Sequence, residues 1–205
     1  MRMIGLGLLP VLALTAWADV AQAQGQGQGQ RQGQGQAQRP PAPRAETIAG
    51  PGVPGWVVDR ANGCWVWNEN PERGETVRWS GPCPEGPATG EGSVTWRVTE
   101  NRRVRNSSYV GSLSEGRPDG RGVFIGPYGS RSEGSWRAGR QHGLGSSTAP
   151  SGHWYVGLWR DGRPDGQGEG FHPQMGSFVG IWADGCLKRA DGSVWAVGRP
   201  VSECR

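Results

Sequence analysis

Lysine is almost absent from these 205 residues: Lys188 stands alone, and arginine makes up the rest of the 22 basic side chains. Long apolar runs are missing as well. The longest, Ile4 to Trp17, falls short of the roughly 20 residues a membrane span needs, and no later segment is apolar enough to serve. The four cysteines never form C-x-x-C, and no nearby histidine pair has zinc-ligand spacing. There is no nucleophile elbow, phosphate loop or other metal-ligand pattern. Segments such as "GEG" and "GQGEG" lack the following helix that would make an anion site. These absences exclude the common enzyme signatures, and the expectation is no catalytic residue, no metal and no cofactor. The net charge of +4 is spread along the chain, with only "NRRVR" (Asn101 to Arg105) forming a cluster. Arginine's planar fork binds phosphate and carboxylate well, but a diffuse excess reads as solvated surface, with no nucleic-acid partner expected.

What the chain has in abundance is glycine, 37 residues. Ahead of most of it stands "MRMIGLGLLPVLALTAWADVAQA", with a basic start, a short apolar stretch and Ala21-Gln22-Ala23 as a small-x-small cleavage site. It predicts a secretory signal peptide over 1–23, with a cut after Ala18 as the alternative. Residues 24–55 follow as a Gln/Gly-rich and then Pro-rich stretch with nothing to bury, and predict a disordered linker.

From Tyr109 onward the sequence repeats. Gly111, Gly134, Gly157 and Gly180 are 23 residues apart, as are Leu113, Trp136, Trp159 and Trp182, and as are Gly116, Gly139, Gly162 and Gly185. Three registers held together define the architecture. In "YVGLWRDGRPDGQGEGF" the period of two puts Tyr155, Gly157 and Trp159 on one face and Val156 and Leu158 on the other. "RDGRPDG" has turn composition, and "GQGEGF" returns with Gly166, Gly168 and Gly170 on one face, so each unit predicts a β-hairpin. Glycine there removes a side chain where a neighbouring unit's Tyr or Trp must lie against backbone.

These residues resemble the MORN (membrane occupation and recognition nexus) repeat, Tyr-x-Gly-x-Trp-x-x-Gly-x-x-x-Gly-x-Gly. Tyr155, Gly157, Trp159, Gly162, Gly166 and Gly168 fill all six positions. Tyr109 and Gly111 begin a unit with Leu113 for Trp; Trp136 and Gly139 lie in one with Ser132 for Tyr; Phe178, Gly180 and Trp182 open one that loses its later glycines. A fifth unit fits upstream, at Trp79, Gly81, Cys83, Gly86, Gly90 and Gly92. The 30-residue step to Gly111 leaves seven extra residues for a longer loop or hairpin arm. His142 reads as part of a turn. The resemblance implies an all-β repeat array of antiparallel hairpins, an elongated, twisted single-layer sheet over 79–185, with caps at 56–78 and 186–205. The cysteine-bearing flanks also resemble those of exported bacterial MORN-like proteins.

Five hairpins at about 4.8 Å per strand separate the two ends by roughly 45 Å, whereas a disulfide needs Cα atoms within about 7 Å. That geometry predicts Cys64 with Cys83 and Cys186 with Cys204, each stabilising by on the order of 3 kcal/mol.

The function expected is a non-catalytic binding or scaffold module in the periplasm or outside the cell, acting on an envelope protein. The alternative is direct binding of cell-wall glycan or anionic lipid. Trp154, Trp96 and Trp195 fall outside the template and could stack on sugar rings, while Arg102, Arg103 and Arg105 could pair phosphates. An enzyme would have to use His153, Asp161, Asp165, Glu169 and His172, where acidic residues already suit turns.

Overall fold

The computed structural model describes residues 54–204; the expected signal peptide lies outside them, as does the expected linker apart from its last two residues. Gly55, the last of these, already begins a strand.

Among the described residues the largest sheet has nine strands: β3 (Thr76–Trp79), β4 (Gly90–Glu100), β5 (Arg103–Ser114), β6 (Arg117–Ile125), β7 (Arg131–Arg137), β8 (Arg140–Thr148), β9 (Trp154–Arg160), β10 (Arg163–His172) and β11 (Gly176–Trp182). They pair antiparallel in sequence order, an open meander in which each strand's neighbours in space are its neighbours in the chain. Two-stranded sheets stand before and after it, β1 (Gly55–Val58) with β2 (Trp65–Asn68) and β12 (Cys186–Lys188) with β13 (Val194–Ala196).

Two-residue loops close the repeat hairpins. Arg160 pairs with Arg163, and Asp161 and Gly162 between them have φ of 49° and 84°. Positive φ at both central residues is the type I′ turn, whose twist matches that of the flanking strands. "Pro-Asp-Gly", expected to help turn the chain, instead lies inside β10, where the register slips between Pro164 and Gly168. The bulge tolerates a proline because it interrupts the ladder. It also displaces Gly166: at φ 111° a Cβ there would meet Leu158, so Gly166 does not share the face of Gly168 and Gly170. His142 likewise lies in β8 rather than in a turn. The turn glycines stitch successive units together, since the N–H groups of Gly139, Gly162 and Gly185 donate to the carbonyls of Pro118, Gln141 and Pro164.

The strand registers bring Gly92, Gly111, Gly122, Gly134, Gly145, Gly157, Gly168 and Gly180 side by side, one from each strand from β4 to β11. This bare row is where rings lie. A Cβ on Gly122 would overlap the Tyr109 hydroxyl, and one on Gly168 the Tyr155 hydroxyl. Each tyrosine thus covers glycines of its own hairpin. The tryptophan of the next unit comes from the other side, with Trp136 Nε1 donating to the Gly122 carbonyl at 3.0 Å and Trp182 Nε1 to Gly168 at 3.2 Å. Glycine makes the trough, and rings from two units fill it.

The seven extra residues extend the β4–β5 hairpin, which pairs without interruption from Gly90–Leu113 to Glu100–Arg103. Trp96, on this arm opposite Val77, is buried in the N-terminal core beside Phe124 and is not an exposed ring.

Both ends fold onto the ring-bearing face. Trp56 of β1 sits where a Cβ of Gly116 would be, and Cys64 and Val66 join a core with Tyr109 and Leu113. At the far end Leu187 packs over Gly180, and Trp195 stacks on Phe178 with ring centroids 3.6 Å apart. The array is therefore one layer in the middle and two at its ends. Cys64–Cys83 and Cys186–Cys204 are the disulfides, with Cα separations of 5.6 and 5.7 Å. A buried carboxylate anchors the first cap: Asp59 accepts hydrogen bonds from the backbone N–H groups of Trp79 and Ala61 and pairs with Arg78 at 2.9 Å. Burial pushes its pKa up, but those donors outweigh it and hold the carboxyl below its usual range.

Candidate functional site on the ring-bearing face

One row of side chains crosses the sheet next to the glycines. In register it reads Trp79, Val94, Tyr109, Phe124, Ser132, Ser147, Tyr155, Gly170, Phe178. The large side chains stop at the paired serines and resume at Tyr155. Buried residues divide at the same point, into one cluster around Tyr109 and Leu113 and another around Tyr155, Trp159 and Trp182.

The break follows from one residue type. Tyr109 meets Trp136 of the next unit edge to face at 5.5 Å, and Tyr155 meets Trp182 at 5.2 Å. By that spacing the partner of Trp159 is position 132, a serine. Trp159 packs instead on Tyr155 of its own unit, at 5.1 Å and 89°. Its Nε1, which in Trp136 and Trp182 reaches a glycine carbonyl, is buried with no hydrogen-bond partner among the described residues. Gln141, standing where the other units have Pro118 and Pro164, extends its amide over Gly145 and donates to the Ser146 carbonyl at 3.2 Å. What the rings leave open is a cavity of about 450 Å³ lined by Ser132, Gln141, Ser147, Trp159, Phe178 and Trp195, among others. Pockets of this size with apolar walls and a few polar groups suit small ligands.

The tyrosines bounding this region are held neutral. Burial, aided by Asp165, pushes Tyr155 up to about 12, and burial with Glu91 and Asp119 raises Tyr109 further. Their hydroxyls donate to the Leu158 and Ser112 carbonyls.

The off-template tryptophans fare differently. Trp154 is half-buried, stacked on Phe171 at 5.6 Å and 7°, and lines the cavity; Trp195 is half-buried on Phe178 and lines it too. Arg102 and Arg103 are exposed at the tip of the β4–β5 hairpin. Arg105 is engaged within the chain, paired with Glu72 at 2.7 Å and Glu100 at 3.3 Å and donating to the Tyr128 hydroxyl. Of the enzyme candidates, His153 and His172 meet at 4.4 Å between ring centroids, with His153 Nδ1 2.8 Å from Ser151 Oγ. The acidic residues do not join them: Asp161 pairs with Arg137 and Asp165 with Arg160, while Glu169 lies in register between Val156 and Val179. Among the described residues no group of three potential ligands could hold a metal ion.

The opposite face carries Leu144, Val156, Val179 and Ile181, each more than half exposed. Leu144 pairs with Leu158, and Val156 and Val179 flank Glu169.

The family model for the MORN repeat matches residues 109–131, 133–154 and 155–169, three consecutive stretches that coincide with the hairpins of β5–β6, β7–β8 and β9–β10. Each of these three hairpins is similar to a MORN repeat. The units at Trp79 and Phe178 continue the same sheet outside the matched residues. No curated protein matches the chain. MORN repeats suggest association with proteins or membranes and a non-catalytic role. Among the described residues no helix is long and apolar enough to cross a membrane.

The sequence had marked Ser132 as a departure from the template. Ser147 and Gln141 went unmarked, because their importance comes from which strand pairs with which.

Proposed function

We propose that the protein is a non-catalytic scaffold module of the cell envelope, exported in disulfide-bonded form, that binds an envelope protein through its MORN-repeat sheet. The observation that carries this reading is the face opposite the rings. Leu144, Val156, Val179 and Ile181 stand 70, 53, 67 and 71% exposed on β8, β9 and β11. Exposed aliphatic side chains gathered on one face, here with Glu169 of β10 between Val156 and Val179, suit an interaction surface with a polar element. Two disulfides are compatible with export.

A crosslinking pull-down from envelope extract tests it, with the full chain compared with a Val156→Glu/Ile181→Glu variant whose fold is checked by circular dichroism. One protein recovered at near-stoichiometric yield and lost in the variant supports the scaffold. Equal recovery with both rules out this face.

A second reading, recognition of wall glycan or anionic lipid, draws on the half-exposed Trp154 and on Arg102 and Arg103 at the hairpin tip. Recovery of polymer or lipid without protein, weakened by Trp154→Ala, would favour it.

A further inference from the structure

A groove of about 440 Å³ runs between β2 of the first cap and the strands β6 and β7, walled by the half-buried rings of Trp67, Phe124 and Trp136. The fold holds these rings in place. Trp67 meets Trp56 edge to face at 5.3 Å and carries the Arg117 guanidinium 4.3 Å above its ring, while Trp136 is fixed by Tyr109 and by its hydrogen bond to Gly122. Three carboxylates, Glu69, Glu72 and Glu75, line the groove against the one guanidinium of Arg117, so the groove is acidic in a chain whose net charge is +4. Glu69 and Glu72 pair with Arg140 and Arg105. Glu75 accepts a hydrogen bond from Asn68 Nδ2 at 2.9 Å and has no basic partner among the described residues.

The chain enters the described residues at this groove. Gly55, the first residue of β1, pairs with Asn68, which lines the groove next to Glu69. Ten residues, 45–54, separate Gly55 from "RPPAPR", Arg39 to Arg44. They span up to about 33 Å, enough to turn back along a six-residue extended segment of about 19 Å. Pro40 and Pro43 stand in Pro-x-x-Pro spacing with an arginine at each flank. Proline fixes φ near −65°, so such a segment loses little conformational entropy when held extended, and Pro-x-x-Pro segments dock in aromatic-lined grooves for that reason.

We propose that this groove holds residues Arg39 to Arg44 of the same chain, with proline rings against Phe124 and Trp136 and an arginine on Glu75. A proline-rich segment without arginine would leave Glu75 unpaired, and a basic segment without proline would leave the ring faces uncovered. The short tether keeps the segment at a concentration on the order of millimolar at the groove, so modest contacts suffice. The site is on the opposite face from the scaffold surface proposed above and does not depend on it.

The test compares the full chain, disulfides intact, with a Pro40→Gly/Pro43→Gly variant, which alters no side chain of the described sheet. Indole N–H resonances are followed in 15N-labelled protein, with Trp182 at the far end of the sheet as the internal reference. The Trp67 and Trp136 resonances are expected to differ between the two chains while Trp182 stays in place. The peptide acetyl-Arg-Pro-Pro-Ala-Pro-Arg-amide should move them saturably in the variant and bind the native chain at least about tenfold more weakly, because there it must displace the tethered segment. Arg39→Gln/Arg44→Gln should move the same two resonances in the direction of the proline variant. Identical Trp67 and Trp136 resonances in native chain and proline variant, or equal peptide affinity in the two, would overturn the proposal. Movement of the native resonances on dilution of the protein would seat the segment of a second copy in the groove and overturn the intrachain placement.

Discussion

In the unit that begins at Tyr155, a ring covers Gly157 and Gly168 and meets Trp182; in the unit that begins at Ser132, a serine stands in that row and Gln141 reaches over Gly145. The backbones do not differ in kind. Both units have a two-residue turn with two positive φ values, a register slip in the same place and an N–H from the next turn glycine to the same carbonyl position, at Pro164 and Gln141. The hairpin frame is therefore set by glycines and turns, and the ring is a separate contribution that one unit can lose. Where it is lost, a cavity remains, beside an indole N–H with no partner among the described residues.

The sharpest way to break this comparison is to remove the ring. Tyr155 is fully buried and touches Trp159 and Trp182. Tyr155→Ala should cost about 3 to 5 kcal/mol, the range for deleting a large core aromatic, in urea unfolding at neutral pH. Ser132→Ala in the neighbouring unit should change stability by less than about 0.5 kcal/mol. Equal effects would mean that the two units are held in the same way after all.

Alkaline pH separates the same units without mutation. Tyr155 is pushed up to about 12 in the folded chain against an ordinary 10. Its folded pKa is raised, so its contribution is complete below pH 10 and is lost as pH rises from 10 toward 12. With about 1.4 kcal/mol for each pH unit between the two values, the loss approaches roughly 3 kcal/mol. Tyr109 shifts in the same direction. Unfolding at pH 9 and pH 11.5, compared between native protein and Tyr155→Phe, should show a smaller alkaline loss in the variant. An unchanged loss would place the titration elsewhere.

Adding a methyl group to the trough comes next in size. At Gly168 it would strike the Tyr155 ring, which is fixed; at Gly145 it would meet the Gln141 amide nitrogen at 3.1 Å and the Trp159 ring at 3.3 Å, besides the Glu133 carbonyl at 2.8 Å. Gly168→Ala should cost about 1 to 3 kcal/mol by overpacking. Gly145→Ala should cost less, because its closest contact, the Glu133 carbonyl at 2.8 Å, is milder than the ring overlap at Gly168, and the Gln141 amide can move aside. The difference in urea midpoints at constant slope measures it.

Much of this frame was readable before any coordinates. The 23-residue registers located the hairpins, and the period of two put Tyr155, Gly157 and Trp159 on the buried face with Val156 and Leu158 outside, as their burial confirms. The separation of the ends chose the disulfides. Three features escaped for physical reasons. "Pro-Asp-Gly" has turn composition yet sits in a bulge, because the type I′ turn at Asp161–Gly162 had already reversed the chain. Trp96 looked free because it matches no template position, but the longer β4–β5 ladder carries it into the first core. The cavity depends on cross-strand neighbours: Ser132 and Ser147 are 15 residues apart in sequence and become a pair only through the register.

The smallest expected effect concerns the turns. Asp161–Gly162 and Ala138–Gly139 close equivalent hairpins, and their first residues have φ of 49° and 48°. A left-handed conformation costs an L-residue roughly 1 to 2 kcal/mol, less for Asn or Asp, whose side chains bond locally. Alanine has no such relief, so Ala138 is the strained member of the pair. Aspartate would copy the better turn but is the wrong remedy: Asp119 Oδ2 already accepts the Ala138 N–H at 3.1 Å, and a second carboxylate beside it would repel. Ala138→Asn gives the conformational relief without the charge, and should raise stability by about 0.5 to 1 kcal/mol. Asp161→Ala should lower it by a similar amount, and would also remove the ion pair with Arg137, a small term at 3.3 Å between exposed groups. Thermal unfolding of both variants decides the matter, since strain at the turn predicts shifts of opposite sign, and two shifts of the same sign would show that the turns are not equivalent.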